Sequence, residues 1–301
     1  MVAGAGEPST WGAQIDRAER TLAAAGSPAP REEAVELLGV VLGVPRPAVL
    51  AQMASPLRRS EEVTYADWIA RRARGEALSH ITGHQEFMGL DLLVGHDDPL
   101  VPPHARRLVE LALESCRRHL AGELVAVEIG TGCGAVALAL AALEPRFVRI
   151  YAMDAPPAAL DTARANGARY LMNLVIRWTE GEQLDTIPEP VDVIVCDWVA
   201  HGRREISAEA LGAAVAGDGD EINATAARVI QQARVRLRPG GTLIGALPRG
   251  RRPAITGWLA RALPEAQIGW ELPVDDVVIA VALLPRGEQD KGVFPDQEAI
   301  P

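Results

Sequence analysis

From about residue 104 onward the chain alternates short apolar runs with helical patterns, and this alternation narrows the possible folds more than any other feature. A helix over 104–120 precedes strand "LVAVEI" (124–129), then helix 134–143 and strand "VRIYAM" (148–153). Helix 156–168, strand 171–177, strand 191–196, helix 220–236, strand "GTLIGAL" (241–247) and helix 252–263 continue the series. Strands alternating with helices predict an α/β domain with a parallel sheet covered on both faces. "RPGG" (238–241) reads as a stop and turn before the fifth strand. Apolar stretches at 266–272 and 274–284, close together around Pro273, read as an antiparallel pair.

Residues 9–76 have a different texture and read as helices. Ser9 or Thr10 is placed to cap a helix over Trp11–Ala25. In "SPAPREEAVELLGVVLG", Pro30 lies near a helix start, Glu32 and Glu33 in the first turn and Gly43 at the stop. "SEEVTYADWIARRARG" repeats the scheme, with Ser60 as cap, Val63, Trp68 and Ile69 facing inward, and Arg71, Arg72 and Arg74 in the last turn. Between 78 and 101, apolar stretches separated by Gly83, Gly89 and Gly95 suggest a small hairpin. The expected organisation is a helical domain over 1–77, a hairpin linker over 78–103, an α/β domain over 104–286 and a disordered tail over 287–301.

Composition sets limits on function. With 48% apolar residues in 301, a sizeable core can be buried, and the net charge of −10 argues against a general nucleic-acid binder. Cys116, Cys133 and Cys196 show neither metal spacing nor a disulfide framework, which fits a reducing cytoplasm. The start "MVAGAGEPSTWG" lacks the basic and apolar regions of a signal peptide, and no apolar run reaches the ~20 residues of a membrane span.

The strongest local motif is "VEIGTGCGAVALAL". The first strand ends at Glu128 and Ile129, then Gly130, Gly132 and Gly134 lead into a helix, with Thr131 and Cys133 between them. Glycine is required where a ligand approaches the backbone closely or φ is positive. The G-x-G-x-G spacing, with Ala135 next, also satisfies the loose form of a dinucleotide fingerprint, so spacing alone leaves NAD open. Two carboxylates favour a different ligand. Glu128, two residues before the first glycine, suits an ammonium and would repel a pyrophosphate. Asp154, ending the second strand with Ala155 after it, suits the two hydroxyls of a ribose. S-adenosyl-L-methionine carries a ribose, an ammonium and a sulfonium, and no phosphate.

With these residues in place, the chain resembles the release-factor glutamine methyltransferase (HemK/PrmC) family from about residue 11 to 285. The resemblance rests on the helical domain, on "ITGHQEFMGLDLLVGHDDPLVP" (81–102), and on "VEIGTGCGAVALALA" followed by "YAMDAPPAALDTARANG". It implies a seven-stranded class I methyltransferase fold, S-adenosyl-L-methionine as cofactor, and methyl transfer to a glutamine side-chain amide in a peptide release factor. Such a protein substrate would be held partly by the helical domain, and a monomer is implied. Glu128, Gly130, Gly132, Gly134 and Asp154 match the family's cofactor site. The acid expected to contact adenine is Glu180 or Glu182.

Two segments depart from the family pattern. Where the family has Asn-Pro-Pro-Tyr after its fourth strand, this chain has Asp197-Trp198-Val199-Ala200. Where the family has Ile-Pro-Arg-Pro-Glu-Thr-Glu, this chain has Val101–Arg107, with Ala105 and Arg107 in place of the carboxylates. Asp197 remains able to accept an N–H of the methyl acceptor. Trp198 is aromatic but out of register, so it is expected to fill the pocket in place of framing it. His201 is a candidate general base, and its plainer reading is a surface-loop histidine. The departures point to a methyltransferase with a changed acceptor, protein or small molecule. The alternative is a cofactor-binding relative without transfer activity.

Overall fold

The computed structural model describes residues 10–155, 157–181, 183–201, 221–274 and 276–286. The terminal segments expected to be disordered, Ser9, and Glu182 lie outside these residues. The chain divides into two compact units. One comprises residues up to His84 with Val94–Asp97, and the other comprises Gln85–Leu93 with everything from Asp98 onward.

In the first unit, α1 (Trp11–Ala24), α2 (Pro30–Leu42), α3 (Arg46–Ala51), α4 (Arg59–Ala73) and α5 (Leu78–Thr82) bury Ile15, Leu22, Leu37, Leu38, Tyr65 and Ile69 against one another. Thr10 caps α1, its hydroxyl accepting from the Ala13 amide at 3.3 Å. Gly43 ends α2 in the left-handed region. Ser60 is not the cap of α4. The helix begins one residue earlier, and Glu61 reaches back to accept the Arg58 amide at 2.9 Å. Contrary to the sequence reading, Val63 faces outward, 56% exposed, and Tyr65 faces inward, where its hydroxyl donates to the Ala34 carbonyl. At the end of α4, Arg72 pairs with Glu33 through two bonds of 2.9 Å and Arg71 pairs with Glu76.

From Gln85 onward the second unit holds a two-stranded hairpin, β1 (His84–Phe87, whose first residue is counted in the first unit) and β2 (Leu90–Leu93), and α6 (Ala105–His119). Then follow β3 (Leu124–Ile129), α7 (Ala135–Leu143), β4 (Phe147–Asp154), α8 (Pro157–Arg169), β5 (Ile176–Glu180), β6 (Val191–Asp197) and the short α9 (Trp198–His201). Helix Glu221–Arg236, β7 (Leu237–Pro248), helix Arg252–Ala262, β8 (Gln267–Val274) and β9 (Val277–Leu283) complete it. The seven strands run in the order β5-β4-β3-β6-β7-β9-β8, with β9 antiparallel to both β7 and β8 and the other pairs parallel.

Alternating residues of each strand serve opposite faces. Val193 and Val195 join Ala126, Ile244, Leu108 and Leu138 on the face covered by α6 and α7. Ile194 and Cys196 join Val127, Leu243, Val229 and Ile255 on the face covered by the two later helices. β3 is the switch point: the chain builds outward through β4 and β5, then returns to place β6 on the other side of β3. Ligands of open α/β sheets bind at the carboxyl ends of the strands flanking such a reversal.

Two elements differ from the sequence reading. The strand expected at 171–177 begins at Ile176. Leu171 sits in the left-handed region (φ 57°), and the Met172 amide bonds back to the Gly167 carbonyl, so the end of α8 uses up these residues in a closing turn. "RPGG" is no turn before the fifth strand but lies inside β7. Between Val191 and Val193 the partner on β7 jumps from Leu237 to Thr242, a bulge in which Gly240 takes φ 82°.

Candidate active site

The glycine turn is built by the exit of β3. Gly130, Gly132 and Gly134 take φ of 82°, 52° and 88°, a region closed to other residues without strain. The amides of Gly130 and Thr131 donate to the Met153 carbonyl at 2.9 and 3.0 Å, which bends the loop over the end of β4. The Gly132 amide donates to Asp154 Oδ2 at 2.9 Å. At Gly134 a side chain would also strike the Trp178 ring, 3.0 Å from the position a Cβ would take.

Glu128 is buried below this loop with 4% exposure. The Thr131 hydroxyl donates to its Oε2 at 2.6 Å and the Ala137 amide to the same oxygen at 2.9 Å. Oε1 has no partner among the described residues. Burial pushes the Glu128 carboxyl up to about 8, offset by these two bonds, with Asp154 and Asp197 adding to the rise. The three acids therefore share one neighbourhood. Asp154 is buried, whereas Ala155 and Glu180 are exposed, and Glu180 stands directly across from Asp154 in the β4–β5 register.

The hairpin is fastened to the glycine turn by Asn166 of α8, which is fully buried. Its Nδ2 donates to the carbonyls of Leu93 (3.0 Å) and Cys133 (2.9 Å), and its Oδ1 accepts the Leu93 amide at 2.7 Å. Sequence reading passed over this residue. The available signal was an uncharged amide inside a helical stretch, "TARANGAR".

At the end of β6, Asp197 is positioned from two sides. The Val199 amide donates to its Oδ1 at 3.0 Å, and His104 Nε2 lies 2.9 Å from its Oδ2. Trp198 does not face this cluster. Its ring turns into the core with 1% exposure and lies against Gly245 of β7, where a Cβ would sit 2.1 Å from Cζ3. The expectation that Trp198 fills the acceptor pocket is corrected accordingly: the flat slot over a side-chain-free strand residue takes the indole. Gly245→Ala is expected to cost about 1–3 kcal/mol by overpacking, and much less in a Trp198→Leu background. Urea denaturation of the two single variants and the double variant measures this coupling.

His201 closes α9, and its side chain lies outside the described residues. Arg107, which stands where the family has a carboxylate, donates to Glu271 of β8 through Nε (2.7 Å) and Nη2 (2.8 Å) and to Glu114 at 2.9 Å. These carboxylates raise its already high pKa. Ala105 is buried.

The carboxylates fit a nucleoside bearing an ammonium. Among the described residues Glu128 Oε1 has no partner under a loop that tolerates no side chain at Gly134, and acids stand at or one residue before the ends of β4, β3 and β6. Strand order, switch point and loop together define a class I methyltransferase, the class that uses S-adenosyl-L-methionine.

Comparisons with known proteins agree. A family model described as the PrmC N-terminal domain matches residues 14–83, and one described as ribosomal protein L11 methyltransferase (PrmA) matches residues 109–223. The chain is 32% identical over 266 residues to the release factor glutamine methyltransferase of Deinococcus radiodurans, covering 83% of this chain and 92% of that one. It is 36% identical over 180 residues to the enzyme of the same name from Koribacter versatilis, and this match spans 58% of this chain and only 63% of the relative. A crystal structure of a methyltransferase from Pyrococcus furiosus shares the fold at 18% identity and a TM-score of 0.50, over 73% of this chain and 99% of that one. The chain belongs to the release factor glutamine methyltransferase family. No helix among the described residues is long and apolar enough to cross a membrane.

Proposed function

We propose that this protein is an active S-adenosyl-L-methionine-dependent N-methyltransferase of the cytoplasm whose acceptor site is rebuilt around Asp197. In this reading Glu128 holds the cofactor's ammonium, Gly130, Thr131, Gly132 and Gly134 let its chain pass close to the backbone, and Asp154 and Ala155 lie along its ribose. Glu180 is the acid beside the adenine. The cofactor supplies an electrophilic methyl group. The chain's own residues bind it, orient the acceptor and take up a proton.

The observation that carries the reading is the Asp197 carboxylate. It ends the strand beside the switch point, lies near enough to Glu128 to perturb it, and is oriented by two fixed donors. An amide nitrogen is a poor nucleophile because its lone pair is shared with the carbonyl, so its N–H groups must be held and aimed. The names of the relatives support a glutamine amide in a protein substrate such as a release factor as the first acceptor to test. The changed residues at 198–200 and 101–107 support an acceptor preference that differs from theirs.

The test is calorimetry with S-adenosyl-L-methionine followed by methyl transfer onto a release factor carrying its Gly-Gly-Gln motif. Cofactor binding with measurable transfer is expected. Flat titrations at millimolar cofactor would overturn the whole reading. Binding without transfer to any protein or small-molecule amide would favour the alternative of a cofactor-binding relative that has lost its chemistry.

A further inference from the structure

The residue that orients Asp197 comes from a segment that had looked like a simple loss. His104 stands just before α6, in "VPPHARR", and is buried with 3% exposure. The stretch that delivers it is itself anchored by the hairpin. Gln85 of β1 donates from Nε2 to the Val101 carbonyl at 3.1 Å, and its Oε1 accepts the Val101 amide at 2.9 Å. The His104 ring then meets Asp197, 93 residues further along the chain. A carboxylate accepts only, so the shared hydrogen sits on Nε2. With Val199 N–H on Oδ1, each oxygen of Asp197 is held by a fixed donor.

In the family pattern two prolines stiffen the turn after the first motif position. Here Trp198 and Val199 stand in their place, and neither fixes φ. Rigidity therefore has to come from outside the turn. Trp198 packs over Gly245 of β7, and the fixed donors to the carboxylate come from Val199 and His104.

The geometry points to His104 as a positioning residue for methyl transfer, one that locks the orientation of the Asp197 carboxylate toward an acceptor nitrogen carrying two hydrogens, as in a primary amide. This rests on the methyltransferase reading above. In the step so positioned, the nitrogen lone pair forms the new N–C bond while the C–S electron pair stays on sulfur. One proton of the nitrogen passes to Asp197, and His104 keeps its own Nε2 proton throughout.

Two measurements on the full-length protein test this. In single-turnover transfer to a release factor bearing Gly-Gly-Gln, His104→Ala is expected to lower the rate about 10- to 100-fold with cofactor affinity unchanged. His104→Gln, which restores an N–H donor at similar reach, is expected to recover most of that loss, and it serves as the working variant if His104→Ala does not fold. Independently of any activity, ¹⁵N-histidine NMR should show His104 as the Nε2–H tautomer, with its downfield proton signal lost in Asp197→Ala. An unchanged rate in His104→Ala, or a His104 signal indifferent to Asp197, overturns the proposal. Intact coupling between the two residues in a protein that transfers nothing would instead count against the functional reading and leave the pair in place.

Discussion

Asp197→Ala is expected to lower methyl transfer by about 10²- to 10³-fold, the range seen when one preorganised polar contact to a reacting group is removed. It should leave cofactor affinity within about twofold, because the glycine turn and the acids at the ends of β3 and β4 are untouched. The effect belongs in the rate of the chemical step. The acceptor would still dock, but its nitrogen would no longer be turned toward the methyl group. Parallel calorimetry and single-turnover kinetics separate the two quantities. A variant that transfers at the wild-type rate would remove Asp197 from the site. Structural collapse is a weak competing explanation, since the Asp197 side chain is 12% exposed and stands at the carboxyl end of β6.

Glu128→Ala should weaken S-adenosyl-L-methionine binding by about 10²-fold, the worth of one charge-assisted hydrogen bond in a buried site. A pH signature distinguishes this from simple loss of packing. Burial raises the Glu128 carboxyl from 4.5 to about 8, so near neutrality the empty site holds it largely protonated. An ammonium prefers the ionised form, so binding must expel that proton. Cofactor affinity is therefore expected to rise between pH 6.5 and 8.5, with proton release detectable by calorimetry in buffers of different ionisation enthalpy. Glu128→Gln should flatten both. Stability of the cofactor-free protein runs the other way. A folded-state value above the unfolded one means the native state binds more protons between pH 4.5 and 8, so this group's contribution is full below 4.5 and is lost as pH rises through 8. A cofactor affinity independent of pH in the wild type would mean that Glu128 does not receive the ammonium.

Much of the α/β unit could be read directly from residue pattern, because buried parallel strands and the helices between them have distinct periods. β3 begins and ends where expected, and the turn after it bonds Glu128 through Thr131 and Asp154 through the Gly132 amide. The misplacements share a cause: backbone conformations that residue type alone does not announce. Leu171 adopts a left-handed φ despite its branched side chain, which delays β5, and Gly240 accommodates a bulge where a turn was expected. Ser60 lies inside α4, whose cap position is Arg58, where Glu61 accepts the backbone amide. The acceptor side was harder to read. The bond between His104 and Asp197 joins segments 93 residues apart, and nothing in local spacing brings them together. The placement of Trp198 did leave a trace. Gly245 lies inside an apolar strand, a position where a missing side chain often marks close approach by another group.

Asn166 has a consequence for communication within the second unit. One amide grips both the backbone of β2 and the glycine turn, so anything that rigidifies the turn also restrains the hairpin. The same hairpin, through Gln85, steadies the peptide from which His104 projects. Under the proposed function, this hydrogen-bonded relay would couple cofactor binding at the turn to the alignment of Asp197, and any such coupling acts with equal free energy in both directions.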